Sequence, residues 1–163
     1  YGAGPRKIAS KAGITTLQAE EWIDKYYDEF PGIKKFKKDS VTAARFHGFA
    51  ETLLGRRRPL PDLFHSHSFT REHAERVAVN HVIQGTAADL VKQAMVEIKR
   101  NLGDAYKSIL LQVHDELVFE VPTGEAGAFA KRIKQSMEGC VKLKVPLVVN
   151  VGIGLNWADS KME

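Results

Sequence analysis

The chain has 163 residues, of which 44% are hydrophobic and 27% charged. This composition excludes a disordered chain, and no apolar run is long enough to span a membrane. The formal net charge of +4 is a mild indication of a polyanionic partner. The single cysteine, Cys140, excludes an internal disulfide and is interpreted as a buried structural thiol.

The first third of the chain predicts three helices. The first covers residues 5–12 and the third covers residues 33–46. The second is capped by a threonine at 15 or 16 and runs towards residue 30. Gly13 stops the first helix, and Pro31 with Gly32 separates the second from the third. Residues 49–63 predict short extended pieces around Gly55, because the prolines near their end prevent a helix.

The rest of the chain predicts a long helix, a hairpin, another helix and a last strand. The helix covers about 70–102, the hairpin 108–121, the next helix follows Gly124, and the strand covers 145–153. Both hairpin strands are nearly continuous apolar runs, which is typical of strands at the centre of a domain. The last strand is predicted from alternating apolar residues. Helices followed by a small antiparallel sheet indicate an α+β fold.

The tip of the hairpin, His114-Asp115-Glu116, is the strongest candidate for chemistry. Phosphoryl transfer needs divalent metal ions held by hard oxygen ligands, and a carboxylate at the end of a strand pair meets that need. Aspartate and glutamate are also ordinary turn residues in hairpins, and that interpretation is the better one for Asp115 taken alone.

A row of polar side chains precedes the hairpin on the predicted long helix. Arg76, Asn80 and Gln84 are spaced by four, so they lie along one helix face. Amide and guanidinium groups donate to acceptors that every base pair offers in the minor groove, which checks duplex geometry without reading sequence. A solvated polar face is the alternative.

Basic side chains cluster at two places in the chain. Arg56, Arg57 and Arg58 lie in a turn-like segment with apolar residues on both sides, which suits phosphate contact. The other cluster consists of Lys34, Lys35, Lys37 and Lys38, and is interpreted as a solvated helix face.

Four motifs in order along the chain resemble the C-terminal part of family A DNA polymerases, the bacterial DNA polymerase I type. They are residues 51–62 with their Gly-Arg-Arg segment, residues 75–89, Gln112-Val-His-Asp-Glu116, and Val151-Gly-Ile-Gly-Leu-Asn-Trp157. The resemblance covers essentially all 163 residues.

The resemblance implies a fold and an activity. Residues 1–48 correspond to the helical end of the fingers, and 49–163 to the last part of the palm, including the 70–102 helix and the 108–121 hairpin. The activity is template-directed addition of deoxynucleotides to a primer 3′ end with two magnesium ions. Asp115 is then a metal ligand, Glu116 a nearby acidic residue and His114 a neighbour of the primer terminus.

The resemblance also implies partners and a location. Arg76, Asn80 and Gln84 match residues that touch the minor groove of primer–template DNA, the arginines at 56–58 lie near the template, and Tyr1 lies beside the nascent pair. Deoxynucleoside triphosphates and the upstream remainder of the polymerase are the other partners. No membrane partner is expected, and the expected location is cytoplasmic, with the nucleoid if the source is bacterial.

The sequence departs from the family pattern at two positions and is shorter than the family's polymerase domain. Val82 stands where proline is frequent, which predicts a softer kink, and Pro59 stands where tyrosine is common. Tyr1 is not a natural start. The family's first metal-binding aspartate, its triphosphate-binding lysine and arginine, and its thumb are expected upstream, so the isolated chain is expected to be inactive.

Two other functions are alternatives. A non-catalytic, basic nucleic-acid-binding fragment would bind in a salt-dependent, sequence-independent way. A metal-binding or hydrolytic module would use four histidines together with His114 and Asp115, although the spacing fits no standard zinc pattern. These histidines are His65, His67, His73 and His81. Serine or cysteine nucleophile chemistry has no supporting motif.

Overall fold

The computed structural model describes residues 4–160. Its α-helices are α1 (Pro5–Ala12), α2 (Thr16–Glu29), α3 (Pro31–His47), α4 (Ser68–Asn80), α5 (Thr86–Leu102) and α6 (Ala126–Glu138). Its strands are β1 (Phe49–Glu51), β2 (Arg57–Pro59), β3 (Ile109–Val113) and β4 (Glu116–Phe119). The predicted α+β class, with helices first and a small antiparallel sheet after a long helix, is confirmed.

The first three helices begin and end where capping chemistry requires. Gly13 ends α1 in the left-handed region at φ +68°, a conformation that costs glycine little. Thr15 and Gln18 form a reciprocal capping box at the start of α2. Pro31 occupies the first position of α3, where its missing N–H would have no helical partner.

A small hairpin and a core cluster follow α3. Strands β1 and β2 pair antiparallel, and the residues from 52 to 56 between them, the 52–56 turn, reverse the chain. The core cluster consists of Ala44, Ala50, Leu60, Leu63, Ala74 and Ala78. Small alanine side chains let α3, β1 and α4 approach closely, and Leu63, fully buried, fills the space between them.

Helical residues follow one another from Ser68 to Leu102, two residues earlier than the predicted start. This helical stretch is not α-helical throughout, because a π-helical turn, His81–Gly85, lies between α4 and α5. A π turn is a local widening that often occurs at functional sites. In α5, Ala94 and Ile98 are buried, whereas Ala87 is exposed.

The second hairpin is formed by β3 and β4. The prediction that its strands lie buried at a domain centre is wrong for β3, where Leu110 is 56% and Leu111 48% exposed. The reason is that, among the described residues, these two strands form a sheet by themselves. Phe119 packs edge-on against Phe129 of α6, which covers one end of the hairpin.

The predicted last strand at 145–153 is wrong, because residues 141–160 contain no strand. Alternating apolar residues form a strand only where another strand accepts their backbone bonds. Here the amide of Val149 donates to the Glu138 carboxylate at 3.0 Å instead. Near the chain end, a Cβ added at Gly152 would lie 1.7 Å from the Ser160 carbonyl oxygen, so that position requires glycine.

The chain divides into two compact units, Tyr1–Thr86 and Ala87–Glu163. The first holds α1 to α4, the β1–β2 hairpin and the π turn. The second holds α5, the β3–β4 hairpin and α6. None of the helices in residues 4–160 is long and apolar enough to cross a membrane.

Candidate functional site

The β3–β4 hairpin presents His114 and Asp115 as a two-residue loop, because Val113 pairs with Glu116. His114 has φ +54°, the only positive φ among the non-glycine residues of 4–160. The left-handed conformation costs a non-glycine residue about 1–2 kcal/mol and recurs at functional sites. Gln112 Nε2 donates to the carbonyl oxygen of His114 at 2.7 Å and holds this conformation. The loop is therefore both strained and braced.

Asp115 and Glu116 are exposed at this tip. A carboxylate at the end of a braced turn offers hard oxygen atoms in a fixed position, as magnesium and similar cations require. Within residues 4–160, no three histidine, cysteine, aspartate or glutamate side chains lie close enough to hold a metal ion. Asp115 therefore fits one place in a ligand set, and a complete set would need further donors.

The polar row on the helix is placed in the first unit. Arg76 and Asn80 are partly exposed on α4, one turn apart, and Gln84 is exposed within the π turn. The π turn shifts the register after Asn80, so the regular four-residue spacing predicted for an α-helix does not continue to Gln84. Donor groups remain accessible along this segment.

The 52–56 turn packs directly on the π turn. Arg56 Nη2 donates to the carbonyl oxygen of Gly85 at 2.8 Å, and the amide of Leu53 donates to Thr86 Oγ1 at 2.9 Å. A Cβ at Gly85 would lie 2.7 Å from Thr52 Cγ2. Because Thr52 is buried, it has little room to move away. These contacts, which sequence reasoning missed, join two predicted binding segments within one unit.

The three consecutive arginines have different surroundings. The Arg56 guanidinium bonds the Gly85 carbonyl, whereas Arg57 pairs with Glu51 at 2.6 Å and lies over the Phe49 ring. Arg58 is exposed, and its side chain has no ion pair or hydrogen bond within the part of the chain that the structure describes. Phosphate contact by all three stays a prediction, and Arg58 has the side chain that is most accessible for it.

His65, His67 and the lysine cluster lie outside these contacts. The rings of His65 and His67 stack at 5.5 Å, and His65 Nδ1 already accepts the amide of His67. That bond occupies Nδ1 of His65, one of the two ring nitrogens through which a histidine can bind a metal. Lys34, Lys35 and Lys38 are exposed on α3 as predicted, while Lys37 donates to the Tyr27 hydroxyl at 2.6 Å.

Cys140 is buried, as predicted, just beyond the end of α6. Burial raises the pKa of its thiol, because the thiolate would lose its hydration. Its Sγ lies 3.8 Å from the carbonyl oxygen of Leu90, which it faces as a weak donor. These surroundings keep the thiol neutral and support a structural role.

Comparison with known proteins decides the family. The model of "DNA polymerase family A" matches residues 1–159. The chain belongs to that family. It is 43% identical over 161 residues to DNA polymerase I of Deinococcus radiodurans, covering 99% of this chain and 17% of that protein. It is 42% identical over 161 residues to the thermostable DNA polymerase I of Thermus aquaticus, covering 99% and 19%.

A solved structure of a family member has the same fold. It is described as the POL domain of Pol1 from M. smegmatis in complex with DNA primer-template and dNTP, and it is 42% identical with a TM-score of 0.91. The match covers 98% of this chain and 29% of that one. The chain thus spans only a fraction of the length of its relatives. Family membership implies a general dependence on divalent metal ions.

The placement of the predicted residues is uneven. His114, Asp115 and Glu116 lie together at one tip, and Arg76, Asn80 and Gln84 lie along one helical segment. Tyr1 falls outside the described residues. The sequence did not predict the contacts of Thr52, Leu53 and Thr86. The only signal for them was Gly85, a glycine inside a helix next to Gln84, which indicates a close approach by another segment.

Proposed function

We propose that this chain is part of a template-directed DNA polymerase that adds deoxynucleotides to a primer 3′ end by magnesium-dependent nucleotidyl transfer. The observation that carries the proposal is the exposed carboxylate of Asp115 on a strained turn that Gln112 braces. Family membership and the likeness to a Pol1 domain described with primer-template and dNTP support it.

In this proposal Asp115 ligates magnesium, with further ligands supplied from outside this chain. Two bound ions would neutralise charge on the reacting phosphate and on the leaving pyrophosphate. Glu116 adds negative charge beside Asp115, and His114 faces the primer terminus. The fixed turn keeps the Asp115 oxygens in one place, so little reorganisation accompanies metal binding.

The helical segment holds the duplex in this proposal. Arg76, Asn80 and Gln84 donate to minor-groove acceptors of the primer–template end, and their exposure leaves them free to do so. Arg58 approaches backbone phosphates, a contact that the sequence predicts for Arg56 and Arg57 as well. Replacing Gln84 by alanine should slow extension from a correctly paired terminus, and an unchanged rate and fidelity would contradict minor-groove contact.

The proposal extends to domains and surroundings. Residues 1–48 belong to the fingers, with Tyr1 beside the nascent pair, and residues 49–163 belong to the palm. The partners are primer–template DNA, deoxynucleoside triphosphates and the remainder of the polymerase. The site of action is the DNA of the cytoplasm, or of the nucleoid in a bacterium.

The decisive experiment is single-turnover nucleotide incorporation by a polymerase that carries this segment. Asp115→Ala should lower the rate on the order of 10³-fold, the loss expected when a metal ligand for charge stabilisation is removed. Primer–template affinity should change little. Glu120→Ala is the matched control, because Glu120 is an exposed carboxylate at the other end of the same hairpin. Equal rates in the two variants would overturn the proposal.

A second candidate function applies to the chain alone. Because no three metal donors cluster within residues 4–160, a non-catalytic, basic nucleic-acid-binding fragment also fits the isolated chain. Primer extension with the isolated chain and magnesium distinguishes the two. Salt-sensitive binding without extension favours the fragment, whereas extension that disappears in Asp115→Ala shows that the chain completes a site.

A further inference from the structure

The π turn is fixed from outside by the 52–56 turn. Two hydrogen bonds reach it or the residue after it, one from the Arg56 guanidinium to Gly85 and one from the Leu53 amide to Thr86. Both bonds lie within the first compact unit. A π turn is a rare and locally irregular piece of helix, so external bonds of this kind stabilise it.

The bonds bracket Gln84. Gly85 follows it directly, and Thr86 Oγ1 turns back to donate to the carbonyl oxygen of Val82 at 2.5 Å. The backbone on both sides of Gln84 is thus held, while the Gln84 side chain itself is exposed. A fixed backbone with an exposed side chain is the arrangement expected for a residue that must present its side chain to a ligand in a constant position.

The base of the Arg56 side chain is fixed as well. The Arg56 amide donates to Thr52 Oγ1 at 3.0 Å, and the Thr52 amide donates to the Arg56 carbonyl oxygen at 2.9 Å. Gly55 allows this tight reversal with φ +88°. His81 Nε2, from the π turn itself, lies 3.4 Å from the same Arg56 carbonyl oxygen. The guanidinium therefore extends from a rigid turn to a specific carbonyl.

Arg58 provides the contrast. It lies two residues away and is exposed, and its side chain has no ion pair or hydrogen bond within the described part of the chain. Two arginines from one run therefore face different environments, one a backbone carbonyl and one solvent. The sequence alone does not separate them, because the side chains are identical and nearly adjacent.

We propose that Arg56 is a positioning residue: by bonding the Gly85 carbonyl it fixes the π turn and sets how Gln84 meets the primer–template end. This inference rests on the proposed minor-groove role of Gln84. Arg56 acts through the helix rather than by neutralising phosphate, and Arg58 is the phosphate-contacting member of the cluster. Lysine cannot replace Arg56, because an ammonium lacks the planar, fixed donor geometry of the guanidinium.

The test is a double-mutant cycle in a polymerase that carries this segment, with single-turnover incorporation from a matched primer terminus as the readout. Arg56→Ala and Arg56→Lys should each slow incorporation about tenfold, the loss expected for one charge-assisted hydrogen bond. In a Gln84→Ala background the same changes should have less than about a twofold effect, because the residue they position is gone.

Salt dependence of primer–template binding supplies the second readout. Arg58→Ala should reduce the salt slope by about one, as for loss of a phosphate contact, and should do so with or without Gln84. Arg56→Lys should leave the slope unchanged. Thr86→Val removes the other tether without touching Arg56, and it should also lose its effect on incorporation in the Gln84→Ala background.

Each contrary outcome has a distinct meaning. If Gln84→Ala slows incorporation, and the Arg56 substitutions slow it further by the same factor as in the unchanged protein, the positioning role is overturned and the proposed function stands. If Arg56→Lys or Arg56→Ala lowers the salt slope as Arg58→Ala does, Arg56 contacts phosphate and the inference is wrong. If Gln84→Ala has no effect on a folded enzyme, the inference and the minor-groove proposal fall together.

Discussion

Two regions of irregular backbone differ in their exposure to solvent. One is the 52–56 turn together with the π turn, and the other is the tip of the β3–β4 hairpin. In the first, Thr52, His81 and Gly85 are buried, and hydrogen bonds join the two turns. In the second, one internal bond braces the loop while Asp115 stays exposed. This difference agrees with the proposal that the first region supports a binding surface and the second supplies a metal ligand.

The largest expected effect concerns the cores on which the two regions depend. Leu63 is fully buried in the first unit and Ile98 in the second. Replacing either by alanine should lower the free energy of unfolding by about 2–5 kcal/mol. Hydrogen exchange should show the lost protection concentrated in the unit that was changed. Phe69→Ala is the control, since Phe69 is 76% exposed and should have little effect; equal losses would contradict the assignment of the cores.

A smaller effect should come from the close approach at Gly85. In Gly85→Ala the new methyl group would lie 2.7 Å from Thr52 Cγ2 and 3.1 Å from the His81 ring. We expect a loss of about 1–3 kcal/mol in the free energy of unfolding, as for overpacking in a core. Gly127→Ala, in α6 with open space around it, should be neutral or stabilising by up to about 1 kcal/mol. Urea denaturation of both variants checks the comparison, and a stabilising Gly85→Ala would contradict the packing.

The strained hairpin loop should respond to backbone freedom. His114→Gly and His114→Ala both remove the imidazole, but only glycine accepts φ +54° without strain. The free energy of unfolding should therefore be about 1 kcal/mol higher for the glycine variant than for the alanine variant. Incorporation should be slowed in both. A more stable alanine variant would show that the left-handed loop does not contribute strain.

The smallest effect concerns Cys140. Since burial raises the pKa of its thiol, the folded chain retains this proton at a pH where the unfolded chain has lost it. The resulting stability is present below the usual thiol pKa and disappears as the pH rises through the raised value. Cys140→Ala should lack this alkaline loss, as thermal unfolding across a pH series would show. An identical pH dependence would exclude the buried thiol as its source.

Local signals allowed much of the fold to be predicted. The boundaries of α1 and α2 follow from Gly13 and from the capping box of Thr15 and Gln18, which act within a few residues of themselves. The hairpin around Asp115 was predicted from its apolar strands. The predicted strand at 145–153 is wrong because a strand depends on a distant partner, and here the Val149 amide bonds Glu138.

The same distinction holds for the candidate site. The residue types at Asp115, Asn80 and Gln84 indicate their chemistry directly, so they could be singled out from sequence. The different surroundings of Arg56 and Arg58 could not, because these depend on which side chain reaches the Gly85 carbonyl across about 30 residues of chain. The strain at His114 was equally hidden, because a positive φ is uncommon at any residue other than glycine and the residue type does not reveal it.

The most direct test of the account is the binding of Mn²⁺, as a substitute for Mg²⁺, to the polymerase that carries this segment. Electron paramagnetic resonance titration in the complex with primer–template and incoming nucleotide should show affinity reduced at least about tenfold in Asp115→Ala. Glu120→Ala should bind as the unchanged protein does. Equal number and affinity of bound ions in Asp115→Ala would show that Asp115 is not a metal ligand and would contradict the account.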